Sequence, residues 1–477
     1  MKRTDRYTTI IPRTGIMKTD AVIFASDAIR VEDGAVNQLV NTASIEEGSI
    51  VMATPDIHVG FGVPIGCIWA SQKYVSPCAV GYDINCGMRL LATPFKNKDI
   101  DIKNLAHSIR RDVPLGEGKK NIKLSRDNFI KVLNQGVKGF LSINKGQDRI
   151  YEYSSREERE RDIENIEENG SLKGEHDKVS SHAFERGRNQ LATLGGGNHF
   201  IEIQEVNEIF SPALGDSFNI HKGQIVVMIH SGSRGLGHQV GGDYMHASLI
   251  YDLENNLLLP AKDLSYFPID SQQGSAYLGA MRACANFAYV NRQAMAMLVR
   301  RCIRHDYGRD IELPTVYDVS HNIASFEGHQ GKQYLVHRKG ATRAFGKTRM
   351  KGTAFEGTGQ PVLIPGSMGT ASYLLAGVES GARSLFSVNH GAGRVMSRRQ
   401  AGGKITRKGK IRNEGAISDK RFHESMKGIH LICENYKHIK EEAPDAYKNI
   451  DQIIETVCGA GLALKVARMA PLAVLKG

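Results

Sequence analysis

The sequence predicts a mixed α+β fold in which β-sheets are flanked by helices. Strand-forming runs recur along the chain, at residues 199–206, 224–230, 314–321 and 384–390. Helical segments lie between these runs without the regular alternation of strand and helix that a parallel sheet requires. The 477 residues, 41% of them hydrophobic, are enough for one dominant domain over residues 1–477 with a large core.

Three segments outside the strand-forming runs have distinct compositions. Residues from about 100 to 190 are rich in charge, as in SSREERERDIENIEENG, which predicts a solvated helix and an exposed loop. Residues 280–305 combine helical periodicity with good helix formers, so we expect their apolar side chains in the core. The stretch SRRQAGGKITRKGKIR (397–412) contains seven Lys or Arg and predicts a basic loop or ribbon. Its charges either face solvent or contact nucleic-acid phosphates.

The overall composition indicates which class of partner the protein binds and in which cellular compartment it occurs. The net charge of +11 favours a polyanionic partner, nucleic acid first, although a basic enzyme without such a partner would have the same balance. The seven cysteines include no C-x-x-C pair, which argues against a disulfide framework or a zinc ribbon and fits a reducing cytosol. The N-terminus MKRTDRYTT lacks the apolar core of a signal peptide, and no apolar run could span a bilayer. We therefore expect a soluble, cytoplasmic protein with no membrane partner.

Four histidines stand next to strand-forming runs, and they are the main indication of an active site. His230, His321 and His390 each end such a run, and His199 begins one. A single histidine in this context is commonly a structural residue with its hydrogen bonds satisfied. Four in the same context indicate more, because active-site groups collect on loops at strand ends, where a rigid sheet orients them.

Two further segments add carboxylates and a thiol. MATPDIHVGFGVP carries Asp56 and His58, and GYDINCGMRL carries Asp83 and Cys86. Cys86 could be a nucleophile, a metal ligand or a buried apolar residue. Together with the imidazoles, the set favours zinc, iron or manganese over calcium. Two such ions close together would hold phosphoryl oxygens, and a deprotonated Cys86 could bridge them.

Glycine-rich segments provide candidate phosphate cradles. PGSMGTASY (365–373) and HGAGR (390–394) expose backbone N–H groups, although each could be an ordinary turn. ATRAFGKT (341–348) resembles a P-loop with Ala in place of the first Gly, and we interpret it as a chance match because its flanking residues do not fit a buried strand and a helix. The lysine motif K-x-D-G of many nucleotidyl transferases is absent. A covalent nucleotide would then need another nucleophile, and His390, ahead of a glycine-rich turn, is the natural candidate.

Taken together, these segments resemble the RtcB family of tRNA-splicing and RNA-repair ligases. The matching segments keep the family's order from about residue 50 onward: DIHVGFGVPIG, VGYDINCGMRL, LGGGNHFIEI, IHSGSRGLGHQ, SHNIA, HRKGATRA, PGSMGTASY, NHGAGRVMSR and APLAVLKG. The resemblance implies the family's own α+β fold, in a single catalytic domain with its active site on loops at strand ends.

The resemblance also implies an activity, namely an RNA ligase that uses GTP and two Mn²⁺ ions. It would join RNA ending in a 2′,3′-cyclic phosphate or 3′-phosphate to RNA with a 5′-hydroxyl. His390 would carry GMP as a phosphoramidate and pass it to the RNA 3′-phosphate, which the 5′-hydroxyl then attacks as GMP leaves. The implied partner is RNA, such as tRNA halves or cleaved RNA ends, with archease as a candidate activating partner. We expect a monomer.

By the same resemblance, individual residues receive roles, beginning with Asp56, which would orient His390. The implied metal ligands are Asp83, Cys86, His199, His230 and His321, with Cys86 between the two ions. The implied GTP and GMP contacts are Asn198, His199, Phe200, Ile201, Glu202, His321, Asn322, Pro365, Gly366, Ser367, Met368, Ser372, His390, Gly391, Ala392, Gly393, Tyr447 and Lys476. The implied RNA contacts are Arg234, Arg394 and Arg398.

Two other functions stay open beside the ligase. A dinuclear metal-dependent phosphodiesterase or phosphatase of RNA ends would need the metal ligands but neither His390 nor nucleotide transfer. A non-catalytic RNA-binding module would keep the metals for structure alone. Labelling of the protein by GTP separates the ligase from both, because only the ligase forms a covalent nucleotide.

Overall fold

The structure, a computed structural model, describes residues 1–143, 150, 154–405 and 411–477. Within them the predicted mixed α+β class is confirmed, because several mostly antiparallel sheets are flanked by helices. The strands are β1 (Lys2–Asp5), β2 (Thr8–Ile11), β3 (Ala21–Phe24), β4 (Ile50–His58), β5 (Ile65–Ser71), β6 (Tyr74–Val75), β7 (Gly87–Lys96), β8 (Phe200–Ile209), β9 (Gln224–Ser231), β10 (Phe267–Pro268), β11 (Thr315–Ser320), β12 (Asn322–His329), β13 (Lys332–Lys339), β14 (Ala341–Arg343), β15 (Pro361–Ile364), β16 (Ser372–Gly377), β17 (Ser387–Asn389), β18 (Gly403–Ile405), β19 (Ile411–Glu414), β20 (His430–Cys433) and β21 (Ala463–Lys476). The α-helices are α1 (Asp33–Thr42), α2 (Ile102–Asp112), α3 (Arg126–Leu141), α4 (Arg156–Glu164), α5 (Ser181–Gly187), α6 (Pro212–Ser217), α7 (Arg234–Glu254), α8 (Gln272–Tyr307), α9 (Arg398–Gly402), α10 (Asp419–Ser425) and α11 (Ile450–Gly459).

Two large sheets organise the described chain. The first sheet has the strand order β1–β2–β3–β4–β5–β13–β12, and the second has the order β11–β7–β9–β8–β21–β16–β15, with β20 beside β21. Neighbouring strands are antiparallel except for β3 with β4 and β20 with β21. Antiparallel neighbours need no crossover helix, and this is why strand and helix do not alternate regularly in the sequence.

The long helix α8 forms the core against one face of the second sheet. Its residues are buried over most of its length, as predicted for 280–305, and one hydrophobic cluster joins them to Ile201 of β8 and Val227 of β9. The alternate residues Val226 and Met228 of β9 belong to a cluster on the other face. β9 is apolar at successive positions because both of its faces are covered. Neither α8 nor any other helix in the described ranges is apolar enough over a sufficient length to cross a membrane.

The charge-rich segment between residues 100 and 190 is only partly the solvated structure that its composition predicts. Most side chains of α4 are at least partly exposed, but Glu158 and Asp162 turn inward. Two arginines of α8 bind them, with Arg304 Nη2 2.6 Å from Glu158 Oε1 and Arg300 Nη2 2.8 Å from Asp162 Oδ1. Buried charges need such partners, which lie far away in the chain and which local composition does not reveal.

Two predicted segments lie partly outside the described residues. Positions 144–149 and 151–153 fall within the charge-rich segment, and 406–410 fall within the basic stretch 397–412. The described part of the basic stretch contains α9, β18 and the beginning of β19.

The strand order of the second sheet brings four of the predicted site residues together. Cys86 directly precedes β7 and His199 directly precedes β8, whereas His230 lies near the end of β9 and His321 follows β11. β7 is antiparallel to both β9 and β11, and β8 is antiparallel to β9, with Phe200 opposite His230. The start of each strand therefore lies beside the end of its neighbour. The four side chains consequently meet at one end of the second sheet.

The first sheet and the short pair β14–β17 supply the facing wall. Asp56 lies on β4, and His390 directly follows β17. β17 is antiparallel to β14, with Asn389 opposite Ala341. The Ala341 N–H also donates to the carbonyl of His321 at 3.2 Å. The turn that carries His390 is thereby tied to the strand end that carries His321.

Candidate active site

A carboxylate, a thiol and two imidazoles form a compact cluster at this end of the second sheet. Asp83 Oδ2 lies 2.7 Å from His199 Nε2. Cys86 Sγ lies 3.5 Å from the same nitrogen and 3.1 Å from His230 Nε2. Ligand atoms of Asp83, Cys86 and His199 all lie within 4.8 Å of one another. Nitrogen, sulfur and carboxylate oxygen at this spacing suit a divalent transition metal.

His321 extends the cluster on the side of His230. The two ring centroids are 5.5 Å apart, and Nδ1 of His321 lies 2.9 Å from Thr342 Oγ1. Among the described residues, His321 Nε2, the ring nitrogen that Thr342 does not hold, is buried with no hydrogen-bond partner. Buried polar atoms are rarely left unpaired in folded proteins. The unpartnered Nε2 of His321 therefore fits a metal ligand beside the cluster.

The electrostatics of the cluster point the same way. Burial lowers the pKa of His230 and of His321 well below the ordinary value, so both rings stay neutral, which is the form that binds metals. Burial, and then the negative charge of Asp83, raises the pKa of Cys86 well above its ordinary value. A thiol in this position needs a cation to become a thiolate, and a coordinated metal ion supplies that charge.

His390 and Asp56 form a separate hydrogen-bonded pair beside the cluster. His390 Nδ1 lies 2.7 Å from Asp56 Oδ2, and Thr54 Oγ1 donates to Asp56 Oδ1 at 2.6 Å. Burial raises the pKa of Asp56, but the hydrogen bond and charge of His390, with smaller contributions from Thr54 and His58, outweigh it, so the pKa lies below its ordinary value. The His390 ring centroid is 5.6 Å from that of His321. An ionised carboxylate on Nδ1 fixes the tautomer in which Nε2 carries the free lone pair.

One cleft of about 490 Å³ contains both groups. Its lining includes most of the predicted site residues: Asp83, Cys86, Asn198, Phe200, His230, His321, Asn322, Pro365, Gly366, Ser367, Met368, His390, Gly391, Ala392, Gly393, Arg394, Arg398, Tyr447 and Lys476. The glycine-rich segments at 365–368 and 390–393 therefore lie at the same cleft as the metal cluster.

The remaining predicted residues lie behind this lining. Asp56 is hydrogen-bonded to His390, and His199 is hydrogen-bonded to Asp83. Ile201 is fully buried in the core. Glu202 is buried, and burial raises its pKa to about 8. The amide of Gln204 donates to Glu202 Oε2 at 2.6 Å and to the Ser372 hydroxyl at 2.9 Å.

Arg234 also lies outside the cleft lining. It begins helix α7, with Nη2 donating to the Gly116 carbonyl at 3.2 Å and Nε donating to Thr193 Oγ1 at 3.3 Å. Its positive charge is one of the groups that lower the pKa of Asp83, after burial, which raises it, and His199, which lowers it more strongly. In this arrangement Arg234 acts on the Asp83 carboxylate through charge.

A buried carboxylate that the sequence did not single out holds the two other predicted RNA contacts. Glu442 Oε1 lies 2.9 Å from Arg398 Nε and 3.4 Å from Arg394 Nη1. Tyr447 donates its hydroxyl proton to the same carboxylate, and Lys476 Nζ lies 4.0 Å away. Burial raises the pKa of Glu442, but the charges of Lys476 and the arginines lower it to about 2. In sequence, Glu442 is one acid in the polar run HIKEEAPDAYK, with no signal that separates it from solvated neighbours.

Two further residues at the site, His58 and Thr342, had only a weak signal or none in the sequence. His58, noted in the sequence beside Asp56, lines the cleft, and its Nδ1 lies 2.8 Å from the Asp56 carbonyl oxygen. Burial lowers the pKa of His58 to about 4. Thr342, the partner of His321, lies within ATRAFGKT, where a strand is followed by a 3₁₀ turn. A P-loop follows a strand and leads into an α-helix, whereas here the strand lies inside the segment and a 3₁₀ turn follows. This local structure agrees with the prediction that the P-loop resemblance is a chance one.

Comparisons with known proteins agree with the family resemblance that the sequence motifs indicate. A sequence profile of the family described as "RtcB: tRNA-splicing ligase RtcB" matches residues 38–477. The chain is 39% identical over 501 aligned positions to the tRNA-splicing ligase RtcB of Thermococcus kodakarensis, covering 100% of this chain and 99% of that protein. It is 38% identical to the protein of the same name from Aeropyrum pernix, with the same coverage. The namesake from Archaeoglobus fulgidus is 40% identical over 94% of this chain and 92% of its own length.

Proposed function

The chain belongs to the RtcB family and is an RNA ligase, and we propose that it joins RNA 2′,3′-cyclic phosphate or 3′-phosphate ends to 5′-hydroxyl ends through a GMP–histidine intermediate. One observation carries the proposal. His390, with Nδ1 held by Asp56, faces the Cys86 cluster across a single cleft. A hydrolase of RNA ends would need the cluster but would not need His390 as a nucleophile, whereas nucleotide transfer requires one.

The metal ligands would be shared between two Mn²⁺ ions. Asp83 and His199 would hold one ion, His230 and His321 the other, and the Cys86 thiolate would lie between them. The unpartnered nitrogen of His321 and the neutral state of both His230 and His321 support this assignment. Bound manganese would neutralise phosphate oxygens and so assist attack at phosphorus.

The proposed first step is nucleotide transfer to His390. Its Nε2 attacks the α-phosphorus of GTP, an N–P bond forms, and the bond to the bridging oxygen breaks as pyrophosphate leaves. The proton on Nδ1 remains hydrogen-bonded to Asp56, whose negative charge stabilises the positive charge that develops on the ring. Residues of the glycine-rich segments, such as Ser367 and Gly391, would hold the phosphates, and Asn198, Tyr447 and Lys476 would complete the nucleotide contacts.

The later steps use the same cleft. An oxygen of the RNA 3′-phosphate attacks the phosphorus of the histidine-bound GMP and releases His390. The 5′-hydroxyl of the second RNA then attacks the activated 3′-phosphate, and GMP leaves. A cyclic phosphate is first opened by water. Arg394 and Arg398, held at the cleft by Glu442, would contact RNA phosphates. Arg234, which is partly exposed outside the cleft lining, would contact them as well.

Incubation with α-labelled GTP and Mn²⁺ tests this proposal directly. We expect an acid-labile, hydroxylamine-sensitive label on the wild-type protein and none on His390→Ala. An unlabelled wild type, or full labelling of His390→Ala, would leave a metal-dependent phosphodiesterase as the better description. Ligation assays with and without archease, and with 3′-phosphate and cyclic-phosphate RNAs, address the activating partner and the substrate. We further propose that the enzyme acts as a cytoplasmic monomer, which sedimentation and cell fractionation test.

A further inference from the structure

Phe61, Tyr82 and His238 form an exposed aromatic shelf, and two of them are next in sequence to the cleft-lining residues Gly60 and Asp83. The rings of Phe61 and Tyr82 have centroids 6.0 Å apart at 50°, and Tyr82 is stacked on His238 at 5.0 Å and 23°. Phe61 is 43% exposed and Tyr82 is 38% exposed. Val59, also exposed, extends the surface toward the cleft that it lines. Contiguous exposed apolar surface of this kind marks binding sites more often than chance.

The backbone under the shelf is fixed, so the exposure of Phe61 does not reflect a loose loop. The Phe61 carbonyl accepts hydrogen bonds from Lys339 Nζ and, at 2.9 Å, from the Val63 N–H. The Gly60 N–H donates to Gln38 Oε1 at 3.0 Å, and the Gln38 amide donates to the Gly60 carbonyl at 2.7 Å. Lys339 is buried, so it adds no exposed charge to the shelf. A fixed backbone that presents an aromatic ring to solvent loses little entropy when a ligand binds.

The backbone at Tyr82 is also packed closely, in this case against helix α7. A Cβ on Gly241 of α7 would lie 3.1 Å from the Tyr82 Cα, so the glycine allows the helix to approach the loop. The same helix presents His238 to the Tyr82 ring. Tyr82 directly precedes Asp83, and Phe61 directly follows Gly60; Asp83 and Gly60 both line the cleft. Each of the two exposed rings is therefore one residue away from a residue that lines the cleft.

Planar aromatic rings beside a phosphate-transfer site suit an unpaired nucleobase. Bases of single-stranded RNA stack on exposed aromatic side chains, and stacking tolerates any sequence because every base has a π-face. A protein partner would instead need a larger apolar area than the two rings and Val59 provide. We propose that the aromatic shelf binds, by stacking, a base at the 3′-phosphate end of the RNA substrate.

The choice of the 3′-phosphate strand follows from the reaction. That strand must stay bound through activation by GMP and through the later attack of the 5′-hydroxyl, whereas the 5′-hydroxyl strand is needed only for the final step. The proposed nucleotide contacts Ser367, Tyr447 and Lys476 line the same cleft as Val59 and Gly60, which adjoin the shelf. This inference rests on the proposed function.

Substitutions that remove the aromatic ring but keep apolar volume test the shelf. Full-length wild type, Phe61→Leu and Phe61→Leu/Tyr82→Leu are titrated into an RNA oligonucleotide with a 3′-phosphate and a terminal 2-aminopurine. Stacking on the wild type quenches the fluorescence. We expect the double variant to lose the quenching and to raise the dissociation constant about tenfold, with Phe61→Leu intermediate. Phe61→Trp, which restores a larger aromatic face, should bind at least as tightly as wild type.

Phe326 provides the matched control, because it is exposed to a similar degree, 45%, on β12 away from the cleft lining. Phe326→Leu should leave both quenching and affinity within twofold of wild type. Unchanged quenching in the double variant overturns the proposal, and so does an equal loss in Phe326→Leu. A loss confined to 5′-hydroxyl oligonucleotides overturns the strand assignment. Labelling of the wild type by GTP is measured separately without RNA, so a failure of the proposed ligase chemistry is distinguished from a failure of the shelf.

Discussion

Nδ1 of His390 and Oδ2 of Asp56 lie 2.7 Å apart, and the backbone N–H of His390 also donates to the same oxygen at 3.4 Å. The two residues are separated by more than 300 positions in sequence and belong to the β4 strand and the turn after β17. Asp56 is fully buried and also accepts a hydrogen bond from Thr54. Its side chain has little freedom to move, so it fixes the orientation of the imidazole.

Asp56→Asn is expected to slow guanylylation about 10- to 100-fold. The amide oxygen can still accept the Nδ1 proton, but the negative charge that stabilises a positively charged ring is lost. Single-turnover labelling with α-labelled GTP measures the rate, and circular dichroism checks the fold. Thr54→Val removes the hydroxyl that contacts Asp56 Oδ1 and the Gly66 carbonyl but leaves the Asp56 charge in place, so it should slow labelling by a smaller factor. A rate for Asp56→Asn within twofold of wild type would contradict the orienting role.

Cys86→Ala is expected to remove guanylylation through loss of metal while the protein stays folded. Sγ of Cys86 lies between His199 and His230, so its deletion removes the group between both halves of the cluster. Mn²⁺ titration followed by electron paramagnetic resonance should show affinity lower by at least about 100-fold. Cys284→Ala, a buried cysteine of α8 away from the cluster, is the matched control and should bind manganese normally. Unfolding of Cys86→Ala alone would favour a purely structural metal.

Residue type and strand-end position were enough to predict that the four histidines lie close together, whereas their individual roles stay predictions from the family resemblance. His230, His321 and His390 line one cleft, and His199 lies behind it against Asp83. Antiparallel neighbours in the second sheet place strand starts beside strand ends and so bring His199, His230 and His321 together. Glu442 and the Glu158–Arg304 pair escaped prediction, because a buried acid looks like a solvated one until its distant partner is known. The aromatic shelf escaped for a similar reason, since Phe61 and Tyr82 become neighbours only after folding.

Arg292 of α8 is hydrogen-bonded to three segments of the chain, each of which carries a proposed metal ligand. It is fully buried, and its Nη1 donates to the carbonyls of Asn85 at 2.8 Å and Ser231 at 3.0 Å. Nη2 donates to Asp318 Oδ1 at 2.7 Å. Asn85 directly precedes Cys86, Ser231 directly follows His230, and Asp318 lies on β11, which leads into His321.

Arg292→Lys is therefore expected to weaken manganese binding about 10- to 100-fold without removing the buried positive charge. A lysine ammonium cannot reproduce the planar fork that reaches two carbonyls and a carboxylate at once. Arg300→Lys is the matched control, because Arg300 is equally buried on α8 and pairs with Asp162 rather than with the ligand-bearing loops. Calorimetric metal titration and thermal unfolding are measured on both variants. Equal losses of metal affinity in the two would indicate general destabilisation instead of a clamp.

His337 gives the fold a pH dependence that is separate from the metal site. Its ring is stacked on Trp69 at 4.6 Å, Nδ1 lies 3.1 Å from the Trp69 carbonyl, and Nε2 accepts the Ser76 N–H at 3.2 Å. Both ring nitrogens are satisfied only in the neutral form, because a proton on Nε2 would face the Ser76 donor. Burial lowers the pKa of His337 to about 4 from 6.5, although its hydrogen bonds to the backbone act in the opposite direction.

The free energy of unfolding should accordingly fall as the pH drops from 6.5 toward 4. In that window the unfolded chain binds a proton at His337 that the folded chain excludes, so the contribution is complete above pH 6.5 and is lost toward pH 4. It amounts to at most about 3 kcal/mol. Denaturant unfolding is followed by the fluorescence of Trp69, the single tryptophan, with a chelator present throughout so that metal ligands titrate equally in all proteins. His337→Gln should flatten the pH dependence, and His182→Gln, at an exposed position, should not. Parallel pH curves for His337→Gln and wild type would show that another buried group, such as His58, dominates acid unfolding.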